Sequence, residues 1–155
     1  GVASGSVTLG NMGTALRLSY TAVGNTVNLA ARMTSLSKVY GQDILITKDV
    51  LEHLSPNLRD RFQYVDTIIV KGKSNVTELF GIQSVTQDVN EYTQAAYLRA
   101  FELYESGAFE SAELAFKDIV KQYDHKASSC LQKRCAKLRE SEVKNWDGIF
   151  RFGHK

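Results

Sequence analysis

Cysteines and long apolar runs are both scarce in this chain, and each scarcity excludes a class of protein. The 155 residues include two cysteines, Cys130 and Cys135, which lie five residues apart in one expected helix. At that spacing the thiols point to different faces, so we expect neither a mutual disulfide nor a metal site. This usage is typical of a reducing, cytoplasmic compartment. The most apolar short run, residues 67–70, is far below the roughly 18 residues of a membrane span, so we expect no membrane segment.

An excess of charge of one sign is also lacking over the whole chain. Hydrophobic residues make up 43% and charged residues 23%, with a net charge of +2, which is typical of a globular protein and not of a disordered one. Residues 126–155 hold eight basic and three acidic residues. Aromatic residues do not alternate with the basic ones there, so we expect a solvated helix face and no nucleic-acid partner.

The pattern of the first part of the chain predicts two strands followed by a helix. We expect a strand over residues 1–9, a turn at Gly10, Asn11 and Gly13, and a returning strand over residues 15–23. The helix should begin near Asn25 as its N-cap and end at Tyr40, before the stop residue Gly41. Its apolar residues recur at helical spacing and predict a buried stripe: Leu29, Met33, Leu36 and Tyr40.

The rest of the chain divides into a mixed part and a helical part. "DILIT" predicts a short strand, "KDVLEHL" a short helix, and "FQYVDTIIV" with "VTELFGI" a hairpin. The polar residues 85–90 are interpreted as a linker. From residue 91 the pattern predicts helices ending near residue 106, spanning 109–123 and starting near 127. We therefore predict an α+β module over residues 1–84 and a helical tail over residues 91–155.

Asn28 and Arg32 raise the question of function, because both lie early in a helix whose other face is apolar. Four residues apart, they share a face that is rotated away from the buried stripe. A helix N-terminus attracts anions, and a guanidinium beside it can hold several phosphate oxygens. From spacing alone, an exposed arginine beside a partly buried, capped asparagine is the better explanation of the pattern.

The stretch "GVASGSVTLGNMG…LRLSYTAVGNTVNLAARM" resembles the second half of the catalytic domain of class III adenylate and guanylate cyclases. That family has a pattern like G-x-x-x-G-x-V followed by Y-T-x-x-G-[DN]-x-V-N-x-A-x-R, and the likeness continues through "DILIT" and "VKGK". The resemblance covers about the first 84 residues. It implies a ferredoxin-like α+β sheet with helices on one side, truncated at its N-terminus. The helical pattern from residue 91 adds a C-terminal α-helical hairpin after it.

The resemblance also implies a role for four residues. Asn28 would orient the ribose, and Arg32 would stabilise the charge that develops on the α-phosphate. Lys71 would bind the triphosphate. Thr21 occupies the position that reads the purine, where threonine goes with adenine, so the implied substrate is ATP. The implied activity is a phosphorus–oxygen lyase that makes cyclic AMP and pyrophosphate in intracellular signalling.

This chain departs from the family pattern because it lacks the residues that bind the metal ions and one that contacts the purine. The family's two metal-binding aspartates and its purine-contacting lysine lie upstream, and neither the F-x-D-I-type strand nor the G-D hairpin occurs in this chain. Asp66 is interpreted as a plain strand-face residue. The resemblance implies two Mg or Mn ions in the complete enzyme, with no ligands from this chain, so this chain alone is expected to be inactive. Because it starts at Gly1 inside a strand-like pattern, we expect a fragment.

The helical tail offers a second, weaker resemblance. "FELYESGAFESAELAFKDIV" is similar to one tetratricopeptide repeat, with Gly107, Phe109, Ala112 and Phe116 at fitting positions and Ile119 at a departing one. Such repeats are normally stable only when about three are stacked. We expect the hairpin to pack on the first module or on a neighbour, and a protein partner for the tail is one possibility beside a purely structural hairpin.

Three hypotheses about function follow. The first is a part of an adenylate cyclase that works as a homodimer or with a second cyclase domain. The second is a catalytically dead cyclase-like module for dimerisation or nucleotide sensing, with a helical protein-interaction tail. The third is a helical adaptor whose function lies in residues 91–155. The presence together of Thr21, Asn28, Arg32 and Lys71 favours the enzyme.

Overall fold

A computed structural model describes residues 1–14, 17–70, 75–83, 91–143 and 145–153. The described chain has mixed strands and helices followed by a helical region, which confirms the predicted α+β class. Its elements are, in chain order, β1 (Thr8–Thr14), β2 (Arg17–Val23), α1 (Asn25–Tyr40), β3 (Ile44–Thr47), α2 (Lys48–Glu52), α3 (Pro56–Arg59), β4 (Gln63–Ile69), β5 (Val76–Ile82), α4 (Glu91–Glu105), α5 (Phe109–Tyr123), α6 (Lys126–Glu140) and β6 (Phe150–Arg151).

The first two strands pair antiparallel in a hairpin of their own, and here one expectation was wrong. The predicted strand over residues 1–9 is instead β1 over Thr8–Thr14, which runs straight through Gly10, Asn11 and Gly13. Glycine and asparagine were taken as turn residues, but pairing with β2 keeps Gly10, Asn11 and Gly13 within the strand, and Gly13 does so at φ 140°, a conformation that favours glycine. The returning strand β2 was predicted correctly, starting at Arg17 within the described residues.

The second sheet has four strands in the order β3–β5–β4–β6. β5 pairs antiparallel with both β3 and β4, and β6 adds to β4 in parallel orientation. The start of the chain lies beside the other edge, where the Val2 N–H donates to the Leu45 carbonyl at 2.9 Å. The predicted strand "DILIT" and the hairpin of β4 and β5 are therefore confirmed.

A β-bulge interrupts the pairing of β4 with β5 between Tyr64 and Asp66. The bulge inserts Val65 as an extra residue without a partner on β5, and Val65 and its neighbour Asp66 are both buried. The hydroxyl of Tyr97 in α4 donates to the Val65 carbonyl. A helix of the tail thus satisfies a carbonyl group at the bulge.

The helical tail packs against the sheet, as expected. One continuous cluster of buried side chains contains Met33, Leu45 and Leu79 from the first part of the chain together with Phe101 and Phe116 from the tail. At the end of the tail, Trp146 packs back as predicted, donating its indole N–H to the Tyr104 carbonyl at 3.0 Å. The exact division into modules stays a prediction, since residues 84–90 lie outside the described ranges.

Candidate functional site

The N-terminal end of α1 presents backbone N–H groups that lack helical acceptors. Gly24, with φ 150°, precedes the helix as its N-cap, so the expectation that Asn25 is the N-cap was wrong by one residue. The backbone N–H of Asn28 donates to the Gly24 carbonyl at 3.2 Å, which leaves the N–H groups of residues 25–27 without a helical acceptor. The first turn carries no acidic residue to neutralise them. This end of the helix therefore favours anions.

Asn28 and Arg32 share one face of this helix, as the sequence predicts. Asn28 is exposed and Arg32 is half-buried, whereas Leu29, Met33 and Leu36 on the neighbouring face are buried in the core. Within the described part of the chain, neither the Asn28 amide nor the Arg32 guanidinium has a side-chain hydrogen bond or an ion pair. Both groups are therefore available to a ligand.

Arg32 lines a small cavity beside the sheet. The cavity has a volume of about 270 Å³ and is also lined by Leu36, Val70, Phe152 and other residues of α1 and the chain end. Val70 immediately precedes Lys71, the expected triphosphate-binding residue, but Lys71 itself lies outside the described residues. Its proximity to Arg32 stays a prediction.

Thr21, the expected purine-reading residue, lies on β2 opposite Gly10 and is exposed. It stands three residues before Gly24, so the same short connection joins its strand to the helix that carries Asn28 and Arg32. The structure thus places Asn28 and Arg32 on one helix face and Thr21 on the strand that leads into that helix.

A metal-binding group is not formed by the residues that the structure describes. No three acidic, histidine or cysteine side chains come together among them. Asp66 is fully buried and its carboxylate is bonded to Arg134 at 2.6 Å, so it faces a protein cation and has no open coordination position. The described residues of this chain therefore do not fit the metal ions that the family resemblance implies.

The interpretation of Asp66 as a plain strand-face residue was wrong. It is the centre of a buried polar cluster, which we call the Arg134 cluster and which consists of Tyr40, Asp66, Tyr104 and Arg134. Burial raises the pKa of the Tyr40 hydroxyl well above its usual range, and the negative charge of Asp66 adds to that effect. Burial by itself would lower the pKa of the Arg134 guanidinium. The negative charge of Asp66 and its other neighbours outweighs burial, so the pKa lies well above its usual range.

A sequence signal for this cluster existed. Ala127, Leu131 and Leu138 recur at helical spacing on the apolar face of α6, and Arg134 occupies the position between them. An arginine in an apolar stripe requires a buried partner. The partner was not predictable, because Asp66 lies 68 residues away in sequence.

A larger cavity of about 500 Å³ lies between the C-terminal end of α1 and α6. Lys38, Lys133 and Lys137 line it, and all three are exposed. Because it is at the opposite end of α1 from Asn28, it is not part of the candidate site. Within the described ranges, no helix combines the length and the apolar character needed to cross a membrane.

One protein family and several adenylate cyclases match this chain. Residues 1–83 match the family described as "Adenylate and Guanylate cyclase catalytic domain". Adenylate cyclase 1 of Rhizobium meliloti (strain 1021) is 31% identical over 90 residues, which are 58% of this chain and 13% of the relative. The terminal-differentiation specific adenylate cyclase of Dictyostelium discoideum is 30% identical over 118 residues, 72% of this chain and 6% of the relative.

An adenylate cyclase of Anabaena cylindrica is 33% identical over 85 residues, covering 54% of this chain and 17% of the relative. The chain therefore spans between 6% and 17% of the length of these three relatives. The family match covers more than half of the 155 residues and includes β1, β2, α1 and the hairpin of β4 and β5. This chain belongs to the adenylate and guanylate cyclase catalytic domain family.

Proposed function

We propose that this chain is the C-terminal part of the catalytic domain of a class III adenylate cyclase, which converts ATP to cyclic AMP and pyrophosphate. The observation that carries the proposal is the pair of Asn28 and Arg32. They lie one turn apart on one face of α1, Asn28 at the end of the first turn and Arg32 at the middle of the helix, and the described residues offer them no partner. The three adenylate cyclases that the chain resembles support ATP over GTP as the substrate.

In the proposed reaction, the 3′ oxygen of ATP forms a bond to the α-phosphorus, the hydroxyl loses its proton, and the bond to pyrophosphate breaks. Arg32 would donate to the oxygens of the α-phosphate as negative charge develops on them. A guanidinium that is already in position stabilises such charge without reorganisation. Asn28 would hold the ribose so that the 3′ oxygen is aligned for attack.

Thr21 and Lys71 complete the proposed substrate site. The Thr21 hydroxyl would hydrogen-bond the adenine, and Lys71 would contact the triphosphate as a point charge. Metal ions would be held by aspartates of the other part of the catalytic domain, so we propose that this chain is inactive alone. No step of the reaction is assigned to a metal on the described residues.

The hairpin of β1 and β2 supports a second cyclase domain as the partner. Leu9, Leu18 and Tyr20 project from one face of the hairpin, because the register pairs Leu9 with Ala22 and Asn11 with Tyr20. Their exposed fractions are 58%, 64% and 72%. Apolar side chains clustered in this way mark an interaction surface. We propose that a second copy or a second cyclase domain covers them.

The test is cyclic AMP production by this chain extended upstream through the rest of the catalytic domain, with Mg or Mn present. ATP and GTP are compared, and Arg32→Ala is measured beside Arg61→Ala, an exposed arginine away from α1. We expect activity with ATP that falls about 100-fold or more in Arg32→Ala and stays unchanged in Arg61→Ala. A folded, dimeric extended protein without activity would favour the alternative, a catalytically dead dimerisation or nucleotide-sensing module.

A further inference from the structure

Arg134 joins the helical tail to the family-matched part of the chain. It lies in α6 and is only 6% exposed. Its Nη1 donates to Asp66 Oδ2 at 2.6 Å and to the Tyr104 hydroxyl at 3.2 Å, and its Nη2 donates to the Tyr40 hydroxyl at 2.7 Å. One guanidinium therefore binds β4, α1 and α4 at the same time.

The Asp66 carboxylate is fully satisfied by these contacts. The Tyr40 hydroxyl donates to Oδ2, the same oxygen that Arg134 contacts, and the Thr67 backbone N–H donates to Oδ1 at 2.8 Å. Replacing a buried ion pair with well-packed apolar residues is often neutral for stability. The hydrogen bonds of Arg134 are directional, so they fix the relative positions of the elements that they join. Apolar contacts have no such directionality and fix these positions less strictly.

Tyr40 is the last residue of α1, the helix that carries Asn28 in its first turn and Arg32 at its middle. Directly after it, Gly41 turns in the left-handed region with φ 63°, and its α-carbon lies so close to the Lys126 side chain of α6 that an added Cβ would be 2.4 Å from it. The C-terminal end of α1 is thus held both by the Arg134 cluster and by the first turn of α6.

The end of the chain links the Arg134 cluster to the cavity that Arg32 lines. The rings of Phe150 and Phe152 cover the Arg134 guanidinium, with centroids 4.1 Å and 5.4 Å from its central carbon. The Phe152 N–H donates to the Ile69 carbonyl at 3.0 Å. Phe152 also lines the cavity beside Arg32. The segment that packs on the cluster is therefore also a wall of the candidate site.

We propose that Arg134 is a positioning residue for α1, and that through it the helical tail sets the placement of Asn28 and Arg32 in the cyclase reaction. This inference rests on the proposed function. Asn28 lies 12 residues before Tyr40, or about 18 Å along the helix axis. A tilt of about 5° at Tyr40 would move Asn28 by roughly 1.5 Å, and a displacement of about 1 Å can reduce a rate about 100-fold.

The experiment uses the extended catalytic domain that includes this whole chain, and compares Arg134→Met, Arg134→Lys and Arg139→Met. Arg139 is the matched control, because it lies on the same helix, is half-exposed, and pairs with Glu113 inside the tail at 3.2 Å. Two readouts are taken below the unfolding transition: kcat and KM for ATP, and amide hydrogen exchange along α1.

We expect Arg134→Met to lower kcat about 10- to 100-fold with KM changed much less, and to speed exchange in α1. Arg134→Lys should recover part of kcat, since an ammonium can pair with Asp66 but cannot hold both tyrosines. Arg139→Met should resemble the wild type. A folded Arg134→Met protein with wild-type kcat and wild-type exchange in α1 would overturn the proposal.

Tyr40→Phe provides the second variant in case Arg134→Met does not fold. It keeps the Arg134–Asp66 pair and removes only the hydroxyl that ties α1 to the cluster. We expect a smaller fall in kcat and faster exchange at the C-terminal turns of α1, and unchanged values of both would contradict the proposal. If the wild-type extended protein makes no cyclic AMP, the proposed function fails, and the exchange of α1 in Arg134→Met and Tyr40→Phe still decides whether the cluster positions this helix.

Discussion

His125 should make the stability of this protein fall in mild acid. It is the N-cap of α6, where its Nδ1 accepts from the Ser128 backbone N–H at 3.3 Å and lies 2.8 Å from the Ser128 hydroxyl. Accepting from a backbone N–H requires an unprotonated Nδ1, so the ring is neutral with its proton on Nε2. The imidazole is 5% exposed and packs against the Tyr97 ring. Burial lowers the pKa of His125 from 6.5 to about 4.

The direction in which pH changes the free energy of unfolding follows from the pKa of His125 in the unfolded and in the folded chain. The unfolded chain binds a proton on this imidazole below pH 6.5, whereas the folded chain does so only near pH 4, so acid favours unfolding. The contribution of the neutral, buried His125 to the free energy of unfolding is fully present above pH 6.5 and is lost as the pH falls towards 4. At about 1.36 kcal/mol per pH unit, the loss is about 2 kcal/mol at pH 5 and about 3 kcal/mol at pH 4.

The assay is urea unfolding of the chain at several pH values between 8 and 5. His125→Asn keeps a residue that can cap the helix but cannot titrate, so its free energy of unfolding should lose most of the pH dependence. His53→Gln is the control, because His53 is exposed, and it should keep the dependence. If His125→Asn shows the wild-type decrease between pH 8 and pH 5, the buried imidazole does not cause it and the reasoning is refuted.

Two further predictions concern other buried groups. Tyr97→Phe leaves the Val65 carbonyl at the bulge without its donor, so urea unfolding should show a loss of about 1–3 kcal/mol. Tyr92→Phe, at a 64% exposed position, should show almost none, and equal losses in both would contradict the role of the bulge. Burial raises the pKa of the Cys135 thiol to about 12, so in a Cys130→Ser protein a thiol reagent should label Cys135 only on unfolding. Rapid labelling of the native protein, followed by mass spectrometry, would show that Cys135 is not shielded.

The helix α1 shows how far local sequence determines structure. Its bounds, its buried stripe and the left-handed Gly41 after it were all predictable, because capping residues and apolar spacing act within a few residues. The shared face of Asn28 and Arg32 followed from the same periodicity. The strand β1 was misplaced, because pairing with β2 keeps within the strand the glycines that would mark a turn in isolation.

The sequence by itself determined the family, the α+β class, the helix that carries the candidate residues, the boundaries of α5 and the start of α6 to within a residue. Only the tertiary structure decided that Asp66 and Arg134 meet, that a bulge lies at Val65, and that the tail closes on α1. The physical reason is that helical periodicity and capping depend on residues that are neighbours in the chain. The partner of a buried charge is instead determined by packing between distant segments, and a buried charge without a partner costs much free energy.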